Sequence, residues 1–227
     1  MSMFILPESV RYDLRYGGQL STSTFDRVIK PDFGCFALYF ALKQLTGCWE
    51  LQQEFLTEAL NHLPKRGYEG IEEIIVKHCQ KVELREVDGR KLSSLRVGAL
   101  GPEAIERMFE PIAQEIYRQG SAPCLILYGG ILGIRHFAVN APENEEFYVL
   151  HPKRLVPKAE YIGFGIKKEN NCYVVRLIAV ATELTSEAMI LVDDVVHTGR
   201  ESQHVTQYLA AAGKNVTGVY CIINRRE

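Results

Sequence analysis

The residues best suited to chemistry form one short run, Asp193-Asp194-Val195-Val196-His197-Thr198-Gly199-Arg200-Glu201-Ser202. It opens on two adjacent carboxylates and turns at Thr198-Gly199. The apolar residues Met189-Ile190-Leu191-Val192 ahead of it predict a buried strand that ends at the two acids. The carboxyl end of such a strand is the edge at which open α/β sheets bind ligands. Beyond the turn, residues 201–212 carry Val205, Tyr208, Leu209 and Ala212 at helical spacing and stop before Gly213. The first amides of that helix lack intrahelical acceptors, so they and the helix dipole favour an anion. Paired acids suit hydroxyl groups and free amides suit a phosphate, and a sugar phosphate presents both. An ordinary strand–turn–helix with exposed acids accounts for the burial pattern, but not for an acid pair joined to Thr-Gly at this distance.

A second candidate lies upstream. Cys124-Leu125-Ile126-Leu127-Tyr128 predicts a buried strand that stops at Gly129-Gly130, followed by a helix over 131–140. Two glycines let a backbone approach an anion closely. Phe147-Tyr148-Val149-Leu150 is a further strand, and Lys153 and Arg154 follow it. Residues 161–171, with Gly163, Gly165, Lys167 and Lys168, fit either a loop that closes over a substrate or a solvated hairpin.

These pieces need a scaffold. Gly101-Pro102-Glu103 opens a helix with proline and acid in its first turn, and Ile105, Met108, Phe109, Ile112 and Ile116 continue it to Gly120. Residues 173–180 and 216–223 are further strands. Strands alternating with helices predict an α/β fold, a parallel sheet flanked by helices on both faces. The first hundred residues differ. Helices are expected from near Asp32 to Gly47, from Glu50 to Leu63 with a stop at Pro64, and from Ile71 to Gln80. A half-exposed strand over Lys81 to Val87 then turns at Asp88-Gly89. Val97 to Gly101 is a joint, which gives a mostly helical region over 1–98 and an α/β domain over 99–227.

Composition narrows the function classes. Lys and Arg number 26 against 28 Asp and Glu, so bulk charge does not point to nucleic acid. The six cysteines are scattered without C-x-x-C spacing, several of them in apolar runs, which suits buried free thiols in a reducing compartment. The start of the sequence lacks a signal-peptide pattern, and no stretch approaches the ~20 apolar residues of a membrane span. A soluble cytoplasmic protein with no membrane partner is the expectation.

The run Met189 to Ser202 resembles the phosphoribosyl-pyrophosphate (PRPP) signature of type I phosphoribosyltransferases: an apolar strand, two acids, two apolar residues, one variable residue and Thr-Gly. The resemblance covers roughly residues 100–227. It implies that Asp193 and Asp194 hold the ribose hydroxyls, with Mg²⁺, and favour an oxocarbenium-like transition state, and that residues 195–202 wrap the 5′-phosphate. It also implies that Gly129, Gly130, Lys153 and Arg154 meet the pyrophosphate, that a nucleobase-like acceptor is the second substrate, and that the protein is a homodimer. Phe25 to Gly34 followed by the helix to Gly47 is a rival place for the pyrophosphate loop, but demands a very large insertion. One departure matters: where the family supplies Thr or Ser after Thr-Gly-x, this chain has Glu201, with Ser202 one place later. A binding protein of the same fold that senses PRPP without turning it over is therefore a second expectation.

A third reading starts from Cys35 at a helix N-terminus, where the dipole lowers a thiol pKa, and from His136 far downstream. This pair is similar to the nucleophile and base of papain-like peptidases. The family's orienting acid would fall at His151, however, and a peptidase leaves the run at 193–199 without a purpose. Nothing in the sequence identifies the acceptor base or a role for residues 1–98.

Overall fold

A computed structural model describes residues 34–79, 81, 102–127, 129–151, 162–196 and 198–224. The chain divides into two compact units, Met1–Glu106 and Arg107–Glu227. The expected strand over residues 82–87, the joint at 97–101 and the rival loop at 25–33 lie outside the described residues.

In the first unit three helices are described: α1 (Gly34–Gln44), α2 (Trp49–Arg66) and α3 (Ile71–Cys79). Gln52, Phe55, Leu56, Ala59, Leu60 and Leu63 form the buried stripe of α2, and Ile71, Ile74, Ile75, His78 and Cys79 that of α3. The 3–4 spacing of these positions is what an amphipathic helix requires. The Gln52 amide donates to the Leu42 carbonyl at 2.7 Å, which satisfies an acceptor that the end of α1 leaves open. The expected stop at Pro64 is corrected: α2 continues to Arg66 with Pro64 inside it. A proline this near the end removes one helical bond, and the turn still closes because the Gly67 amide donates to the Leu63 carbonyl at 2.8 Å.

The second unit is α/β. After α4 (Pro102–Arg118) come β1 (Ala122–Ile126), a 3₁₀ turn over Gly130–Gly133, α5 (Ile134–Asn140) and β2 (Glu146–Leu150). Then follow β3 (Gly163–Glu169), β4 (Cys172–Ile178), β5 (Ala188–Val196), α6 (Arg200–Ala211) and β6 (Asn215–Asn224). The six strands lie in the order β4-β3-β2-β1-β5-β6. β2, β1, β5 and β6 run parallel, as expected, whereas β3 runs antiparallel to both β2 and β4, so the sheet is mixed. The turn between β3 and β4 fixes the pairing of those two strands. Asn170 and Asn171 both take positive φ, 52° and 60°, the two-residue geometry that matches strand twist in a hairpin. Of the two readings of residues 161–171, the described part is this hairpin.

One sheet face is covered by α6. Cys124, Ile126, Tyr148, Leu150, Met189 and Leu191 pack there with Val205 and Leu209 of the helix. Elsewhere in the unit Phe109 of α4 meets Phe137 of α5 edge-on, with ring centroids 6.4 Å apart, and the Tyr117 hydroxyl donates to the Phe137 carbonyl at 2.9 Å. Gly133 lies against the Phe109 ring, so any side chain there would displace it.

Candidate active site

β1 is the point from which the chain goes both ways across the sheet. β2 lies on one side of it, and β5 on the other. Connections leave the carboxyl ends of β1 and β5 in opposite directions, which opens a crevice where α/β sheets bind ligands. The two motifs that the sequence singles out meet there.

β5 differs in length from the expectation. It does not end at Val192 but runs through Asp193, Asp194 and Val195 to Val196. β1 accompanies it only as far as Leu125 opposite Val192, while β6 continues alongside, with Asp193 opposite Cys221 and Val196 opposite Asn224. Among the described residues both acids therefore sit on a strand that is paired on one side only, and the other side faces the turn after β1. Gly129 fills that opening. A Cβ built on Gly129 would lie 2.6 Å from Asp194 Oδ1 and 3.0 Å from Asp193 Cγ, and closer still to Asp193 Oδ1. A Cβ on Gly130 would run into the Val192 carbonyl oxygen and lie 3.1 Å from Leu125 Cα. Both glycines are thus required by close approach.

The acids are in unlike environments. Asp193 is 7% exposed, and its Oδ1 accepts the Asp194 amide at 2.9 Å. Burial holds the Asp193 carboxyl well above the usual carboxylate range, and the neighbouring Asp194 and Glu201 charges add to the effect. Asp194 is half-buried. Like charges held this close in a dry crevice favour a ligand that donates hydrogen bonds or brings a cation.

Gly199 takes a left-handed conformation, φ 71°, which a residue with a Cβ adopts only under strain, and so starts α6. No side chain caps the helix from Gly199, and the Arg200 amide reaches Thr198 Oγ1 at a long 3.4 Å. Of the residues expected to wrap a phosphate, then, Ser202 is buried, Glu201 is half-buried, and Thr198 and Arg200 are exposed. Val196 is buried at the end of β5. His197, Lys153 and Arg154 lie outside the described residues, as does the side chain of Val195.

A divalent cation fits the donor set. Two carboxylates are hard oxygen ligands, and Mg²⁺ binds through one or two of these while keeping waters and substrate phosphate oxygens. Among the described residues no group of three or more His, Cys, Asp or Glu side chains is placed to hold a metal by itself.

A cavity of about 760 Å³ lies at the opposite end of the sheet, where β1, β2 and β5 begin. Its strongest charges are spent on each other. Arg176 donates from Nε to Glu146 Oε1 at 2.6 Å and from Nη2 to Oε2 at 2.8 Å, and the Thr185 hydroxyl donates to Oε2 at 2.9 Å. This network ties β2 to β4 and to the segment before β5. We read it as structural.

Cys35 is the second residue of α1, as the cysteine-peptidase reading requires, but it is 1% exposed. His136 lies in α5, and burial lowers its pKa. The chain matches no protein-family model and no curated protein. Among the described residues no helix is long and apolar enough to cross a membrane.

Proposed function

We propose that the second unit binds PRPP and transfers its phosphoribosyl group to a nitrogenous base, with release of pyrophosphate. The observation that carries this reading is the packing of Gly129 directly against the carboxylates of Asp193 and Asp194 at the crevice between β1 and β5. A glycine turn able to face pyrophosphate, an acid pair able to accept hydrogen bonds from ribose hydroxyls, and a helix start able to take a phosphate converge there. This is the three-part ligand that the signature run anticipates.

In this reading Asp193 and Asp194 accept hydrogen bonds from the 2′- and 3′-hydroxyls and fix the ribose. Because burial raises the Asp193 pKa, the negative charge that favours the positive charge developing at C1′ as the bond to pyrophosphate breaks rests chiefly on Asp194. The electron pair of that bond leaves with pyrophosphate, the base nitrogen forms the new bond to C1′, and the proton that nitrogen carried passes to solvent or to the departing pyrophosphate. The Gly129-Gly130 turn would lie along the leaving group through Gly130, since the Gly129 amide donates to the Ile126 carbonyl at 3.1 Å. Mg²⁺ bound by the acid pair would supply charge neutralisation for pyrophosphate and ribose oxygens. Rate enhancement comes from positioning and electrostatics, without a covalent nucleophile.

The test is pyrophosphate release from PRPP with Mg²⁺ and a panel of purine and pyrimidine bases, repeated with Asp193→Asn and Asp194→Asn. Release that depends on a base and is lost in both variants supports the transferase. PRPP binding without release favours a PRPP-sensing protein of the same fold, a reading to which Glu201 lends weight. Absence of both binding and release refutes both. The burial of Cys35 disfavours the peptidase alternative.

A further inference from the structure

β6 is the last strand on one side of the sheet, and among the described residues no strand pairs with its outer edge. Along Asn215–Asn224 alternate residues turn their N–H and C=O away from β5, and such a row of backbone groups is a template for another strand. Proteins usually guard an edge of this length with a charge or a proline. The opposite edge is guarded. β4 holds Arg176 near its middle, and that side chain donates to both Glu146 oxygens and to the Glu183 carbonyl. β6 contains neither a charged residue nor a proline. Val219 is 39% exposed, and Val216, Tyr220, Cys221 and Ile222 are half-buried. A Cβ added at Gly218 would meet nothing within 4 Å. Val219 and Gly218 point to opposite faces of the sheet, so β6 is apolar and incompletely covered on both.

We propose that β6 pairs antiparallel with β6 of a second copy of this chain, about a two-fold axis, so that one sheet runs through both copies. The occupant is a second copy because this strand is its own complement. An uncharged strand opposes no like charges when it meets itself. The pairing also consumes both unguarded edges and leaves a guarded β4 at each end, so assembly closes at two. A two-fold axis normal to the sheet reverses strand direction and keeps every side chain on its own face. Opposed residues therefore differ by an even number of positions. The two most central registers set Val219 opposite Val219, or opposite Cys221, of the second copy. Pairing makes β6 an interior strand behind the stretch of β5 that carries Asp193 and Asp194. The interface does not depend on the PRPP reading.

The experiment is sedimentation velocity of the full chain under reducing conditions, up to about 100 μM, where a micromolar dimer is mostly formed. The unmodified protein is compared with Val219→Lys and with Val174→Lys, whose site on β4 is 50% exposed. A dimer is expected, weakened about tenfold or more by Val219→Lys and unchanged by Val174→Lys. A chain that stays monomeric, an open series of larger species, or a dimer that Val219→Lys leaves intact overturns the inference. Cross-linking decides the matter if Val219→Lys fails to fold. Opposed Cα atoms in an antiparallel pair lie about 4.5–5.5 Å apart, within reach of a disulfide. Val219→Cys is therefore expected to give a disulfide-linked dimer on mild oxidation in either register, while Val174→Cys and the unmodified protein do not. Failure of Val219→Cys to cross-link above those two controls overturns the pairing. A monomer that still releases pyrophosphate from PRPP sinks this interface and leaves the transferase reading standing.

Discussion

Gly129→Ala offers the sharpest test of how the crevice is built. The backbone at Gly129 has φ −112° and ψ −69°, so handedness is no obstacle to a side chain there. The obstacle is contact. The new methyl would stand 2.6 Å from Asp194 Oδ1 and 3.0 Å from Asp193 Cγ, well inside ordinary carbon–oxygen and carbon–carbon separations. Relief requires a shift of about 1 Å or more, either of the turn or of Asp193, whose carboxylate is buried and holds the Asp194 amide at 2.9 Å. Overpacking of this kind costs about 1–3 kcal/mol, which lowers a urea midpoint by about 1 M. If the crevice is the active site, a displacement of that size costs catalysis about 10²-fold on top. Gly218→Ala is the control: nothing lies within 4 Å of its added methyl, so neither stability nor turnover should fall. Urea unfolding and pyrophosphate release measured side by side decide the matter. Normal stability and activity in Gly129→Ala would refute the close approach from which the site is argued.

Three further outcomes follow from buried charge and buried thiols. His151 is 5% exposed, and burial lowers its pKa to about 3. A histidine kept neutral in the fold gives stability that is complete above pH ~6.5 and declines as the pH falls toward 3. The loss between pH 7 and pH 5 should be about 2 kcal/mol by urea unfolding, and His151→Leu should remove it. In Glu146, burial acts to raise the pKa, but hydrogen bonds from Arg176, Thr185 and Tyr148 together bring it below the usual value. Its pairing thus stabilises above pH ~4.5 and is lost as the pH falls below that. Arg176→Met should cost about 2 kcal/mol by leaving a carboxylate stranded, less than a fully buried pair because Arg176 is partly exposed, and adding Glu146→Gln should restore most of it in a double-mutant cycle. A maleimide probe on the native protein should label exposed Cys172 first. Cys35, Cys79 and Cys124 should resist until unfolding, with burial pushing the Cys79 thiol up to about 12. Rapid labelling of Cys35 would instead revive a thiol enzyme.

Much of the second unit was legible because its elements carry strong local signals. The apolar runs of β1, β2 and β5 and the helical spacing in α4 and α6 place those elements to within a few residues. Gly120 and Gly213, which take positive φ, mark the ends of the two helices. Where the expectation missed, tertiary context overrode a local cue. The acid pair looked like the end of a strand because charge seldom lies inside a sheet, yet pairing with β6 carries β5 on to Val196. The antiparallel hairpin was signalled by Asn170-Asn171, a pair suited to positive φ, but the lysines and glycines around it blurred the alternation. The 3₁₀ turn over Gly130–Gly133 hides within a segment that looks uniformly helical, since the difference is one residue in hydrogen-bond register. That Gly129 and the acids touch was only an inference from the family signature, because no pattern within either segment specifies contact over more than sixty residues.

The reach of β5 past β1 has a consequence for biosynthesis. Beyond Val192 the strand is clasped by β6 alone, the last of the six to leave the ribosome. A nascent chain can assemble the hairpin and the first parallel pair early, but the ledge bearing Asp193 and Asp194 gains its partner strand when residues 215–224 have emerged. If the crevice binds a ligand, as proposed, that ligand acts as a late folding clamp rather than an early template.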